Sequence, residues 1–339
     1  MARKRPLQKE AKSTGSWPLL AVNFFMADMQ SGIGPFVGVF LASQVATSVA
    51  GAAIVPAVTG ITLGMVGQRG FNRQNGRNQA FNHAGNMVGA ALSGLLGWLF
   101  GYFSVFLLSA LFGAITVACV LLIPSGSIDD RAARGSKEDD PESQPSGLTV
   151  LLKHKALLVL ALALAVFHLG NAAIVPLYGM SAVSNNVANG PSFVATIIVI
   201  AQGVMVIASV VAMHVAEKRN YWLIMLGSFL VLPLRGMFAY FLTGWWGVVP
   251  VEILDGIGIG LLSVAVPGMV ARSLYGTGRV NLAQGAVITI QGGGAAFSPA
   301  LGGWIAQWIG FSPTFLVLGG LGLVAAALWI VFGAAVKQY

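Results

Sequence analysis

The chain has few charged residues. Only 9% of its 339 residues are Asp, Glu, Lys or Arg, whereas a soluble domain averages about 25%. Apolar residues make up 56% of the chain, and the mean hydropathy is +0.79. A soluble fold of this length would not bury so much apolar surface. The composition therefore excludes a soluble enzyme and predicts a polytopic, all-α membrane protein embedded in a lipid bilayer.

Residues with metal-binding or catalytic chemistry are also scarce. The single cysteine, Cys119, lies in an apolar run, which excludes a disulfide framework and a cysteine-based metal site. The sequence has no Walker motif, no cluster of metal ligands and no nucleophile paired with a base. GIGIG at 256–260 lies inside an apolar run and follows no strand, so it is not a nucleotide fingerprint. We therefore expect no enzyme activity, no metal and no cofactor.

Long apolar runs predict ten membrane-spanning helices, because a helix needs about 20 apolar residues to cross the hydrocarbon core. Residues 17–67 carry one charge, Asp28. This stretch is long enough for two crossings, and the turn is expected near Ser43 and Gln44. The other eight spans are predicted at residues 79–102, 104–124, 155–178, 192–216, 221–243, 247–272, 282–308 and 312–336.

The basic residues predict the orientation of these spans. With ten spans, eighteen of the nineteen Lys and Arg residues fall in the tails and loops of one side, and the opposite loops contain none. The positive-inside rule then places both termini in the cytoplasm, with the protein in the cell inner (plasma) membrane. The net charge of +8 is thus a topology signal, and we expect no nucleic-acid partner.

Changes in polarity divide the chain into four regions. Residues 1–16 are a basic cytoplasmic tail, and residues 17–124 contain the first four spans. Residues 125–154 combine mixed charge with Ser, Pro and Gly, which is typical of a disordered linker on the cytoplasmic side. Residues 155–339 contain the remaining six spans.

The two groups of spans share repeated sequences. GAALSGLLG at 89–97 matches GAAFSPALG at 294–302, and GMV at 64–66 matches GMV at 268–270. Both matched pairs run in the same direction across the membrane, which indicates parallel repeats about an axis along the membrane normal. Glycine-rich helices are common in membranes, so coincidence is the alternative, but two matches in the same order favour a duplication.

With these repeats, the basic loops and the charged central linker, the chain resembles a transporter of the major facilitator superfamily. The resemblance implies two helical bundles that carry a small-molecule solute between them, with no enzymatic step. The superfamily has twelve helices, six in each half. The first half here has four, which correspond to helices 1, 4, 5 and 6 if residues 69–77 are the loop after helix 4. The missing pair, helices 2 and 3, would then be absent near residues 42–43.

Two ionisable side chains near the middle of spans are candidates for binding a solute or a coupling proton. Asp28 shares a small, polar helix face with Ser31 and Gly32; a neutral structural carboxyl is the alternative. His168 lies at comparable depth in the repeat-related span, where it can serve proton coupling or be a satisfied structural histidine. Asn171 aligns near the Asp28 position and is a further candidate.

Arg235, Glu252 and Asp255 are expected at similar depth on consecutive antiparallel spans. The two acids share a helix face because they are three residues apart. Burial of any of the three without a partner would be unfavourable. We predict a structural ion pair between Arg235 and Asp255, which leaves Glu252 for a solute or a coupling proton.

Amide side chains form two further groups. One helical face at the cytoplasmic start of the third span is expected to line the cytoplasmic mouth of a cavity; its residues are Gln79, Asn82, His83 and Asn86. Gln284 and Gln291, seven residues apart on one face, are candidates for solute contact. Hydrogen bonding between helices is the alternative for the first group, and close helix packing is the alternative for the second.

Two functions remain open at this stage. The first is a secondary active transporter of a small organic solute by alternating access, coupled to protons, with export as the favoured direction. The second, suggested by the missing helix pair, is a transport-inactive, shortened relative that serves as a membrane assembly partner or is a non-functional remnant. A homodimer that covers the face left exposed by the missing helix pair is compatible with either function.

Overall fold

The computed structural model describes Leu20 and residues 41–136, 154–184, 190–218 and 221–333. Asp28, the basic tail, most of the first span and residues 137–153 of the linker lie outside these ranges. Every regular element within them is helical. The long helices are α1 (Leu41–Phe100), α2 (Tyr102–Leu121), α4 (Lys155–Asn171), α5 (Ile174–Ser184), α6 (Gly190–Lys218), α7 (Tyr221–Phe241), α8 (Val248–Ser273), α9 (Val280–Ile309) and α10 (Phe311–Phe332). A short helix, α3 (Asp130–Arg134), follows α2.

Six of the described segments are long and apolar enough to cross a membrane; they are Tyr102–Leu121, Lys155–Val183, Thr196–Lys218, Tyr221–Phe241, Trp245–Ser273 and Phe311–Phe332. α9 is as long as the others, but Gln284, Gln291 and three successive glycines lower its hydropathy. Large apolar side chains such as Trp98, Leu121 and Trp246 project from the outside of the bundle, as expected where helices meet lipid.

α1 reverses direction at Gly67, where φ is 63° and ψ is 178°. Nδ2 of Asn78 donates a hydrogen bond of 2.9 Å to Oγ1 of Thr62, 16 residues away. In an unbroken helix these residues would be about 24 Å apart. α1 is therefore a hairpin of a first arm (41–66) and a second arm (68–100), and the turn needs a residue without a Cβ because only glycine adopts this backbone conformation readily.

Two expectations from the sequence are wrong in this region. The turn expected near Ser43 and Gln44 is absent, because α1 begins at Leu41 and includes both residues. Residues 69–77, expected to be a loop, form the first turns of the second arm, so that helix begins eleven residues before Gln79. The three arginines of this stretch recur every four residues and are all exposed on one face: Arg69, Arg73 and Arg77.

The first part of the predicted disordered linker is ordered, which corrects that prediction for residues 125–136. Asp129 caps α3 by accepting hydrogen bonds from the backbone N–H groups of Arg131 and Ala132. The Asp129 N–H donates to the carbonyl oxygen of Gly64 at 3.1 Å, and the Gly276 N–H donates to that of Gly135 at 2.6 Å. This segment therefore connects the α1 hairpin with the loop between α8 and α9.

These contacts place several helix ends together. The Gly67 turn, the segment 125–136, the start of α7 and the α8–α9 loop all meet at one end of the bundle, where Tyr221 also donates a hydrogen bond to Asn72. We call this the basic end because its exposed side chains include Arg69, Arg73, Arg131, Lys218 and Arg272. From there the second arm of α1 packs along α6, which joins the first half of the chain to the second.

Substitution Gly67→Ala should destabilise the protein by about 1–3 kcal/mol, because a Cβ is strained at this φ and ψ. The effect is measured by comparing the midpoints of thermal unfolding of the variant and the wild type, both purified in detergent. Gly227→Ala is the matched control, since no atom beyond the adjoining backbone of α7 lies within 4 Å of the Cβ it would add. An unchanged midpoint for Gly67→Ala would contradict the hairpin turn.

Candidate functional site

A cavity of about 240 Å³ lies between the first and second halves of the described chain. Its first-half wall comes from both arms of α1 and contains the polar residues Thr59, Thr62, Asn75, Asn78, Gln79 and Asn82. Its second-half wall contains His168 from α4, Ser263 from α8, and Gln284 and Gln291 from α9. The cavity is thus formed at the interface of the two halves rather than within either one.

The depth of the cavity follows from the positions of these residues along their helices. Gln284 lies four residues and Gln291 eleven residues after the start of α9 at the basic end. His168 lies thirteen residues after the start of α4. At 1.5 Å per residue these distances are about 6 to 20 Å. The cavity therefore extends from near the basic end to about the middle of a hydrocarbon core about 30 Å thick.

Hydrogen bonds orient the amides of the first-half wall. Nε2 of Gln74 donates to Oδ1 of Asn78 at 2.9 Å, and Asn78 donates in turn to Thr62. The Thr62 hydroxyl donates to the carbonyl oxygen of Val58 at 2.7 Å. Because the members of this chain hold one another, the wall presents its polar groups in fixed directions.

Polar contacts also connect the halves directly. Nδ2 of Asn75 donates to the carbonyl oxygen of Val264 on α8 at 3.2 Å. Nδ1 of His83 lies 2.8 Å from Oε1 of Gln202 on α6, and its Nε2 lies 3.2 Å from Oγ of Ser263. These few hydrogen bonds join surfaces that would have to separate if the halves moved apart at the basic end.

The lining of the cavity offers neutral hydrogen-bonding groups. Among the described residues that line it, His168 is the one ionisable side chain. The side chain of Gln284 is 1% exposed, and its buried Oε1 has no hydrogen-bond partner among the described residues. Drug-sized ligands occupy cavities of about 300–1,000 Å³, so this cavity matches a smaller solute.

A second polar cluster is buried among α4, α7 and α8, nearer the opposite end of the bundle. Nη1 of Arg235 lies 2.7 Å from Oδ1 of Asp255 and donates to Oδ1 of Asn171 at 2.7 Å. Nδ2 of Asn171 donates to Oδ1 of Asp255 at 3.0 Å. Glu252 is farther away, with Oε1 3.5 Å from Nη2 of Arg235. We call these four residues the Arg235 cluster.

A break in the predicted span 155–178 lies directly beside this cluster. α4 ends at Asn171 and α5 begins at Ile174, so the helical hydrogen-bonding pattern is interrupted between them. The Ala173 N–H donates to Oγ of Ser298 on α9 at 2.9 Å, and Ser298 is fully buried. Non-helical backbone is tolerated at membrane depth where protein groups satisfy it, and Ser298 does so here.

The candidate residues from the sequence thus fall into separate places. His168, Gln284, Gln291, Gln79 and Asn82 line the cavity. His83 and Asn86, expected beside Gln79 at a cytoplasmic mouth, are instead buried, and His83 contacts α6 and α8. The remaining described candidates form the Arg235 cluster: Asn171, Arg235, Glu252 and Asp255. Asp28 lies outside the described residues.

Sequence reasoning missed Asn75 and Asn78, although a signal was present. Together with Gln79 and Asn82 they recur at the three- and four-residue spacing of one helix face. The arginines of this stretch are typical of a loop, and they interrupt the polar pattern upstream of Gln79. Thr59 and Thr62, three residues apart on the first arm, carried a weaker signal of the same kind.

Comparison with known proteins agrees with this architecture. A sequence model of the family described as Major Facilitator Superfamily matches residues 14–280 and, in a second match, 160–337. An uncharacterized MFS-type transporter of Mycobacterium tuberculosis (strain CDC 1551 / Oshkosh) is 38% identical over 302 residues. That alignment covers 87% of this chain and 72% of the relative, so the relative is the longer protein.

Solved structures show the same fold at low sequence identity. The MFS transporter FucP in its outward conformation matches with a TM-score of 0.62 and 12% identity, over 94% of this chain and 98% of that one. A second FucP structure, of the E. coli fucose:proton symporter, matches with a TM-score of 0.59 and 12% identity, over 94% of this chain and 82% of that one.

Substitution Ser298→Ala should destabilise the protein by about 1–3 kcal/mol, because it leaves the buried Ala173 N–H without an acceptor. Thermal unfolding in detergent measures the effect. Thr289→Ala on the same helix is the control, since that hydroxyl is exposed and bonds within its own helix, and it should change stability by less than about 0.5 kcal/mol. Equal effects of the two substitutions would show that Ser298 does not support the helix break.

Proposed function

The chain belongs to the major facilitator superfamily, and on that basis we propose that it is a secondary active transporter that moves a small organic solute by alternating access. The cavity between the halves carries this proposal. It reaches the middle of the membrane, both halves contribute polar groups to it, and a rocking motion of one half against the other would change the side from which it is open.

The lining of the cavity supports a neutral solute with several hydrogen-bonding groups. Amide side chains both donate and accept, so they recognise hydroxyl, amide and carbonyl groups equally. The described lining residues include no carboxylate, Lys or Arg to select a charged solute. Asp28, on the first span, remains a candidate for contact with a solute or for binding a coupling proton.

We propose that protons drive this transport and that export is its direction. His168 is the candidate for proton coupling in the cavity, because it is the one ionisable side chain among the described residues that line it and an imidazole can bind and release a proton. A fold neighbour is a fucose:proton symporter, which is an example of proton coupling on this fold. An exporter of this kind would exchange an outgoing solute for incoming protons.

The arrangement in the membrane is proposed to have ten spans, four in the first half and six in the second, with the basic end facing the cytoplasm. The basic residues support this orientation through the positive-inside rule. The inner (plasma) membrane is the corresponding location.

A transport-inactive, shortened relative is the competing proposal, and the predicted absence of one helix pair favours it. The two proposals differ in a measurable way. An inactive remnant has no reason to bind a solute in the cavity, whereas a transporter must bind one there.

A ligand screen by thermal shift tests the transporter proposal. Purified protein is heated with a panel of small solutes that begins with fucose and includes neutral polyols, amides and organic cations; a solute that binds the folded protein raises the unfolding midpoint. Gln291→Leu should abolish the shift, because it removes a polar group of the cavity wall. Thr289→Val, whose side chain is exposed on the same helix, should retain it.

Each solute identified in this way is then added to proteoliposomes that contain a trapped pH indicator. Transport predicts movement of protons across the membrane upon addition of the solute, and loss of that movement in Gln291→Leu. Binding without proton movement would contradict proton coupling. No binding across the panel would favour the inactive relative.

A further inference from the structure

Three exposed arginines on the second arm of α1 form a row along the outside of the bundle: Arg69, Arg73 and Arg77. We call them the arginine row. At about 100° of rotation per residue, they lie within about 80° of one another around the helix. The opposite side of the same turns is packed inside the protein, where Phe71 and Asn75 are buried. A well-packed helix therefore holds the row on the outer surface.

The row continues into the lipid-facing stripe of the same helix. Farther along the second arm, the exposed large side chains include Phe81, Leu95, Trp98 and Leu99. Together with the arginine row, these residues fall within about 120° of the helix circumference. One face of the arm therefore changes from apolar to cationic between Phe81 and Arg77.

The position of this change matches the edge of the hydrocarbon core. The second arm (68–100) is about 48 Å long at 1.5 Å per residue, whereas the core is about 30 Å thick. Trp98 and Tyr102, at the end of the arm opposite the basic end, are exposed aromatic residues of the kind that lie at a membrane interface. About 20 residues back from Gly101 is Phe81, so Arg77 lies about 6 Å beyond the core.

These depths place two of the arginines at the lipid headgroups. The headgroup and interfacial layers add about 5–7 Å to each side of the core. Arg77 lies at this level. Arg73 lies one turn farther out, and its long side chain can extend back to the interface. Arg69, about 18 Å beyond the core, is out of direct reach.

No described acid neutralises the arginine row. Within the described ranges, the salt bridges are those of Arg235 with Glu252 and Asp255, which lie elsewhere in the bundle. Like charges four residues apart on a helix repel each other and destabilise it. An anion bound between Arg73 and Arg77 would replace this repulsion with two attractive contacts.

We propose that Arg73 and Arg77 bind the headgroup of an anionic phospholipid, such as phosphatidylglycerol, in the leaflet at the basic end. Guanidinium groups recognise phosphate oxygens through paired, charge-assisted hydrogen bonds. The acyl chains lie along the apolar stripe that begins at Phe81. A soluble anion would use the arginines alone, so the continuity of the cationic and apolar surfaces favours a lipid. This site does not depend on the proposed transport function.

The bound lipid would also support the contact between the halves. Asn75, which lies between the two arginines in sequence, donates a hydrogen bond to the carbonyl oxygen of Val264 in the second half. Tyr221 donates to Asn72 one residue before Arg73. A lipid that holds the outer face of these turns therefore stabilises the folded protein, and its binding should raise the temperature of unfolding.

A lipid titration of the full-length protein tests the site. The protein in detergent is mixed with increasing amounts of phosphatidylglycerol, or of phosphatidylcholine with the same acyl chains, and the midpoint of thermal unfolding is followed. We expect a rise with phosphatidylglycerol that phosphatidylcholine does not produce. In the double variant Arg73→Gln/Arg77→Gln, the phosphatidylglycerol concentration at half of the rise should increase about 30-fold, since each basic residue near an anionic surface contributes about fivefold in affinity.

Two further variants separate this site from net charge and from misfolding. Arg131→Gln/Arg134→Gln removes the same charge from exposed positions of α3. α3 lies beside the Gly67 turn, about 20 Å beyond the core, so its variant should change the concentration less than about twofold because salt screens such distances. Arg73→Lys/Arg77→Lys keeps the charge and should retain most of the effect. Without lipid, the glutamine variant of the row should unfold no lower than the wild type, since it loses only repulsion.

Four outcomes would overturn the proposal. One is the absence of any rise with phosphatidylglycerol. Another is an equal loss in the glutamine variants of the row and of α3, which would assign the effect to net charge. An equal rise with inorganic phosphate or glycerophosphoglycerol, which have no acyl chains, would identify a soluble anion. A rise that appears only after removal of nearby acidic charges would identify residues 138–142 as the occupant; the variant is Glu138→Gln/Asp139→Asn/Asp140→Asn/Glu142→Gln.

Discussion

The structure depends on one constraint, namely that a polar group inside a bilayer must find its partner within the protein. Arg235 shows the consequence most clearly, since its guanidinium is fully buried and cannot reach water. Its acceptors come from the broken end of α4 and from two turns of α8. α7 can therefore occupy its place only when α4 and α8 are present, and the second half of the chain is held together around this residue.

The same constraint shapes the contact between the halves, but the hydrogen-bonding groups there are neutral and bind each other more weakly. In the part of the chain that the structure describes, the interface uses neutral amides, a histidine and serine hydroxyls rather than ion pairs. Such contacts between membrane helices average about 0.6 kcal/mol in measured cases. A rigid second half and a moderately attached first half suit a protein that moves one half against the other. The segment 125–136 adds two backbone hydrogen bonds at the basic end, so it would also have to release if that end opened.

Much of the fold, and part of the candidate site, could be predicted from the sequence. The helical, membrane-embedded class followed from apolar runs, and the proximity of Arg235 to Asp255 followed from helical rise on neighbouring spans. The hairpin at Gly67 could not be predicted, because the arginines after it are typical of a loop and the conformation of a single glycine is not visible in composition. The break after Asn171 was also missed, since its partner, Ser298, is more than a hundred residues away. Long-range partners of this kind require the fold.

Access to the cavity from both sides of the membrane is the central claim, and labelling of one cysteine tests it most directly. In a Cys119→Ser background, Ser263→Cys places a thiol in the cavity wall with little change in shape, and a charged, membrane-impermeant thiol reagent is applied to either side. Gly126→Cys, beside the basic end, should react from one side alone. Alternating access predicts that the thiol at position 263 reacts from both sides. Reaction from one side only, under every condition tried, would contradict transport by this chain.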